Sequence, residues 1–151
     1  MLPVLQTPPA MRTGSSMADK LFLDTGALYA YFDKSDAEHK KISSFLDSST
    51  DVFYTSNFII DELVTLLRCR NFKVSQIKSF IDNLRQGKIA FIIHVTPEIE
   101  DLSWEFLYKY KDHDFSFTDC TSFVAMRENG IKKACALDDH FKAAGFSVLP
   151  H

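Results

Sequence analysis

Four acids carry the chemistry that can be read in this sequence: Asp24, Glu62, Asp119 and Asp138. Asp24 follows the apolar run Leu21-Phe22-Leu23 and precedes Thr25-Gly26 and a second apolar run, Ala27 to Phe32. A carboxylate between a buried strand and a helix start belongs at the carboxyl end of that strand, the edge where open α/β sheets bind ligands. Asp138 closes another apolar stretch, beginning at Lys133. Glu62 lies inside NFIIDELVTLLRCR, and Asp119 stands near the start of SFTDCTSFVAMRENG. Brought to one edge, four carboxylates suit hard cations such as Mg²⁺ or Mn²⁺, which take oxygen ligands. A cation held there polarises a phosphoryl oxygen and acidifies an attacking water. The expected chemistry is metal-dependent phosphodiester hydrolysis.

Each acid also has a plainer reading. Asp24 can cap the helix that follows it. Glu62 shares a helical face with Phe58, Thr65 and Cys69, and can be a solvated flank residue. Asp119, three residues after Ser116, can complete a capping box, and Asp138 can cap the turn at Asp139-His140-Phe141. Two strand-end acids and two helix acids are harder to explain jointly in this way. Around them, Thr25, Ser116 and Thr118 offer hydroxyls to orient water or phosphate, and Asp114 offers a further carboxylate.

The elements that must position these residues are legible from periodicity. Short strands are expected at 21–23, 52–54, 89–95, 133–137 and 146–149. Helices are expected from Thr25 to Tyr31, from Ser35 or Asp36 through Leu46, after Ser56, from Ser75 to Leu84, from Pro97 to Lys109 and up to Gly130. Thr96-Pro97 is a strong helix start, because Thr caps and Pro needs no amide hydrogen at the first position. Gly87 is well placed as a helix stop. The 89–95 run is too continuously apolar to leave one face in water. Strands alternating with helices predict a three-layer α/β/α domain around a central parallel sheet.

At 151 residues the chain is sized for one domain, and its 46% hydrophobic and 25% charged content is that of an ordinary globular protein. The formal charge of −3 gives no global basic field; without the four acids it becomes +1. Cys69, Cys120 and Cys135 show no zinc-like spacing and read as reduced, buried thiols of a cytoplasmic protein. No run approaches the ~20 apolar residues of a membrane span. Residues 1–16 contain Pro, Gly and Ser without a continuous apolar segment. They are expected to form a flexible extension or added tail, with Met17 as a natural start and 17–151 as the domain.

The segments LDTGALYAYFDKSDAEH, SNFIIDELVTLLR, DFSFTDCTSFVAM and LDDHFKAAGFSVLP, in this order, resemble a PIN domain of the VapC-type toxin group. The resemblance spans nearly everything from Lys20 to Pro150. It implies an α/β/α endonuclease that cuts single-stranded RNA with Mg²⁺ or Mn²⁺. The family's acidic positions fall on Asp24, Glu62, Asp119 and Asp138, with Asp139 the neighbouring variable position. It also implies a homodimer and a small antitoxin whose tail occupies the site. On this reading His39, Arg68, Arg70 and Lys73 are candidate RNA contacts, and Tyr108, Tyr110 and Phe115 candidate stacking rings, against the plainer roles of solvated surface and core. An RNA-processing nuclease without an antitoxin, or a silent module binding RNA or protein, are the alternatives. A haloacid-dehalogenase-type phosphatase needs a second Asp where this chain has Gly26. A response-regulator receiver needs an acidic pair, a central phosphoacceptor and a later Lys, none of which is evident.

Overall fold

Leu21, Phe22 and Leu23 are wholly buried because their strand sits in the middle of the sheet, covered on both faces. The computed structural model describes residues 18–151, so the extension expected over residues 1–16 lies outside the described residues. The elements run β1 (Lys20–Leu23), α1 (Thr25–Phe32), α2 (His39–Ser48), β2 (Val52–Ser56), α3 (Asn57–Cys69), α4 (Val74–Arg85), β3 (Phe91–Ile93), α5 (Pro97–Lys109), α6 (Phe117–Glu128), β4 (Lys133–Cys135), α7 (His140–Ala143) and β5 (Ser147–Leu149). The five strands are all parallel, in the order β3-β2-β1-β4-β5. From β1 the chain first builds outward through β2 to β3, then crosses back to β4 and β5. Right-handed crossovers therefore put α1–α4 on one face and α5–α7 on the other, the expected three layers.

The reversal of direction leaves a crevice between the carboxyl ends of β1 and β4, the usual ligand position in such sheets. Phe22 meets Phe141 of α7 at 6.1 Å, and Phe123 of α6 meets Phe106, Phe115 and Phe141. On the other side Leu28, Ile42, Ile59, Leu63, Leu67 and Leu84 form the buried stripe of α1–α4. Burying one such side chain contributes about 1.5–3 kcal/mol. Gly87 and Gly130 follow α4 and α6 with φ of 73° and 65°, a left-handed conformation that favours glycine at a helix stop.

Local polar groups move several expected boundaries. Asp33 accepts hydrogen bonds from the Ser35 N–H and hydroxyl, and Asp36 accepts from the Glu38 N–H, so this turn delays α2 to His39. Gln76 accepts from the Lys73 N–H, which starts α4 at Val74 with Ser75 already inside its first turn. The 89–95 run yields a strand of three residues, all half-buried, because β3 is an edge strand. The expectation of full burial there fails for that reason. β4 stops at Cys135, three residues before Asp138. Cys120 and Cys135 are buried free thiols, but Cys69 is exposed at the end of α3, against expectation.

Candidate active site

Asp24 occupies the N-cap position of α1, yet its side chain makes no capping hydrogen bond. Its N–H donates to the Cys135 carbonyl at 3.1 Å, extending the β1–β4 ladder by one residue and fixing the carboxylate at the crevice. Asp24 is 6% exposed. Burial, reinforced by the charges of Asp138, Asp119 and Glu62, pushes its carboxyl up to about 8, against the opposing pull of the Thr25 backbone N–H. The three acids that act on Asp24 are the three that the sequence points to.

Each of the other acids reaches the crevice by a different route. Glu62 lies on the exposed side of α3, but Thr25 Oγ1 donates to its Oε1 at 2.5 Å. That bond joins the start of α1 to α3 across 37 residues and removes the plain solvated-flank reading. Asp119 does complete the capping box: its Oδ2 accepts from the Ser116 N–H, and its own N–H donates to Ser116 Oγ, both at 3.0 Å. Asp138 accepts from the His140 N–H at 3.0 Å, a turn bond that leads into α7. For these two acids the structural role is real and coexists with their place beside Asp24.

His140 is a neighbour that the sequence reading passes over. Its Nδ1 lies 2.8 Å from Asp119 Oδ2 and 3.8 Å from Asp138 Oδ2, so the ring sits between a helix-start acid and a strand-end acid. The 2.8 Å approach lacks hydrogen-bond direction, and buried Nδ1 has no hydrogen-bond partner. The signal available was only its place two residues after Asp138. Asp139 is exposed at the N-cap of α7.

The remaining candidates divide. Thr25 and Ser116 are engaged with the acids, and half-buried Thr118 stands in the first turn of α6. Asp114 is exposed and forms no hydrogen bond or ion pair with the four acids among the described residues. His39 turns its ring to the Ala30 carbonyl at 2.7 Å rather than to the acids. Arg68, in the last turn of α3, Arg70 at its C-cap and Lys73 beyond it are all exposed at the far end of the helix. Arg68 is six residues past Glu62, about 9 Å along the axis toward the amino edge. Arg70 lies over the Tyr29 ring, also on that side. The structure does not bring these cations to the crevice. Tyr110 and Phe115 pack against Phe106, leaving Tyr108, 74% exposed, as the one of the three expected stacking rings that is open.

Charge is distributed unequally between the two sheet edges. At the amino edge Asp51 and Asp19 share the Lys133 ammonium, at 3.0 and 3.3 Å. At the carboxyl edge the four acids have no Lys or Arg partner among the described residues. Such an oxygen-donor set, including one nearly buried carboxyl, fits a divalent cation. Among the described residues no three Asp, Glu, His or Cys groups are close enough to form a ready metal cage. A Mg²⁺ ion keeps several waters and takes one or two carboxylates directly, so a wider acidic crevice still suits it.

A parallel α/β/α sheet with a carboxylate-lined crevice at its reversal point defines a class of domain, and this chain belongs to the PIN domain family, whose model matches residues 21–147. It is 34% identical over 126 residues to the 23S rRNA-specific endonuclease VapC20 of Mycobacterium tuberculosis, covering 83% of this chain and 95% of that protein. It is 28% identical over 137 residues to the Ribonuclease VapC26 of the same organism, covering 86% and 100%. The solved structure of VapC20, described as a Sarcin-Ricin loop cleaving toxin, matches with a TM-score of 0.78 over the same shares of the two chains. FitAcB from Neisseria gonorrhoeae matches in fold, with a TM-score of 0.64 at 14% identity, over 86% of this chain and 96% of that one. No helix among the described residues is long and apolar enough to cross a membrane.

Proposed function

We propose that this chain is a Mg²⁺- or Mn²⁺-dependent endoribonuclease that hydrolyses phosphodiester bonds of single-stranded RNA, as the toxin of a toxin–antitoxin pair in the cytoplasm. The observation that carries the reading is the setting of Asp24. It is nearly buried at the sheet's reversal point, its carboxyl pushed up to about 8 by burial and three neighbouring acids, with no Lys or Arg partner to these acids among the described residues. The names of VapC20 and VapC26 support RNA as substrate, and the description of VapC20 as a toxin supports the biological role.

Asp24, Glu62, Asp119 and Asp138 would hold the cation. When bound, it supplies Lewis-acid polarisation of the phosphoryl oxygen and an acidified water. Thr25 keeps the Glu62 carboxylate turned toward α1, and the capping box fixes the Asp119 side chain at the head of α6. Asp119 Oδ2 takes its protein contacts, while Oδ1 accepts no hydrogen bond from a described residue. A small antitoxin protein and a second copy of the chain are the partners this reading implies.

The test is cleavage of an end-labelled single-stranded RNA by the purified chain. Cleavage is expected with Mg²⁺ or Mn²⁺ and should be abolished by chelator. Asp119→Asn should lower the rate by more than ~100-fold, beyond the ~10–100-fold typical of residues that only support a metal ligand. A folded wild-type chain that binds RNA or a protein partner but never cuts would favour the silent-module alternative. Full activity in a folded Asp119→Asn protein would remove that residue from the chemistry.

A further inference from the structure

The chemistry drawn above gives His140 no part, yet its ring stands against two of the four acids. Its Nδ1 lies 2.8 Å from Asp119 Oδ2 and 3.8 Å from Asp138 Oδ2. Its own backbone N–H donates to Asp138 Oδ1 at 3.0 Å, so the residue holds one acid by its main chain and faces the other with its ring. The ring is held in place from two sides. Phe115 meets it nearly edge-on at 5.8 Å, and Phe115 in turn meets Phe123 of α6 at 5.1 Å. The next residue, Phe141, is wholly buried and packs on Phe22 and Phe123 at 6.1 and 5.0 Å. Aromatic packing thus seats the start of α7 beside the first turn of α6.

Charge then decides which ring nitrogen carries the hydrogen. A bare Nδ1 would set its lone pair against a carboxylate oxygen at 2.8 Å, where the acids have no Lys or Arg partner among the described residues. An N–H at that position turns its positive end to the oxygen instead. The approach is off the hydrogen-bond direction, so the hold is one of dipole and charge, strengthened by the burial of Nδ1.

We propose that His140 is a positioning residue of the cation site, whose Nδ1–H holds Asp119 Oδ2 so that Oδ1 is left for the cation. The inference rests on the nuclease reading given above. Asp119 Oδ2 has two protein donors on this account, the Ser116 N–H at 3.0 Å and the ring, while Oδ1 accepts no hydrogen bond from a described residue. The capping box fixes where the carboxylate sits, and the ring fixes which of its oxygens turns inward to the protein. Groups that orient a metal-binding carboxylate in this way contribute to metal affinity without touching the metal.

The test is made without RNA, so that it reads the cation site and not cleavage. Titration calorimetry gives the Mn²⁺ affinity of wild type, His140→Phe and His140→Asn. Phe keeps a ring against Phe115 and loses the donor, whereas Asn places an amide N–H at about the reach of Nδ1. The Phe variant should bind Mn²⁺ about tenfold more weakly or worse, and the Asn variant should recover most of that loss. Wild-type affinity in the Phe variant would overturn the inference, and so would equal losses in both variants. Nitrogen coupling to Mn²⁺ in pulsed electron paramagnetic resonance of the wild type, lost in His140→Asn, would make the ring a ligand and also overturn it. A long-range proton–nitrogen NMR spectrum of the wild-type chain with Mg²⁺ needs no variant to fold. It should show the hydrogen on Nδ1 of His140, and a bare Nδ1 would contradict the proposal. In each of these cases the wild type still binds metal and cuts RNA, and only this inference falls. A wild-type chain that binds no Mn²⁺ would remove the cation site, and the nuclease reading with it.

Discussion

Thr25 shows how one side chain joins parts of the site that lie far apart in sequence. Its hydroxyl is buried at the start of α1, and its 2.5 Å hydrogen bond is what turns Glu62 toward the crevice. Thr25→Val keeps the shape and removes the donor. The expected result is a ~10–100-fold loss in metal affinity or cleavage rate, the usual effect of losing a group that supports a metal ligand. Isothermal titration with Mn²⁺ and the RNA assay measure the two quantities, and wild-type values for both would show that Glu62 needs no such support. Asp24 could be placed because its strand and helix adjoin it in sequence. The Thr25–Glu62 bond could not, since no local pattern records a contact across 37 residues. His140 was missed because its proximity to Asp119 exists only once β4 brings the following turn beside α6.

Among the elements, α6 is the one on which the site most depends. Eight successive residues, Asp119 to Met126, are buried, so its position is set from nearly all sides and its first turn is held at the crevice. Ser116 closes the head of the helix through the reciprocal bonds of the capping box. Ser116→Ala should cost about 1 kcal/mol and lower Tm by a few degrees. It should also loosen Asp119 and reduce cleavage, so melting and activity should fall together. An unchanged Tm would show that packing alone fixes this turn. The helix starts at Ser56, Thr96 and Ser116 were readable because their caps are local chemistry. The apolar run around β3 misled because continuous hydrophobicity signals a strand and does not tell a central one from an edge. Ser35 and Asp36 misled because their turn uses the same polar groups that would cap a helix.

For the whole molecule, the proposed site should make stability depend on pH and metal. The Asp24 carboxyl is raised to about 8 in the metal-free fold, against an ordinary value near 4 in the unfolded chain. The folded state therefore binds the extra proton between these values. Its contribution is fully present below about pH 4 and is lost as pH rises through about 8. The expected slope from this one group is a fall of up to ~1.4 kcal/mol per pH unit across that window. Denaturant melts in chelator should show it in the wild type and not in Asp24→Asn. Equal slopes would mean that Asp24 ionises freely in the fold. The buried thiols do not compete in this range, since burial raises Cys120 to about 11 and Cys135 to about 12.

If these four carboxylates form one cation site, the stability of the fold must respond to metal through them. A ligand that binds only the folded chain stabilises it by about 2.7 kcal/mol at a hundredfold excess over Kd. Thermal melts of wild type and Asp24→Asn near pH 7, in chelator and across a Mg²⁺ or Mn²⁺ titration, give the comparison. The metal-free mutant is expected to melt at or above the wild type, with its stabilisation by metal sharply reduced. A mutant whose metal response equals that of the wild type would contradict the site.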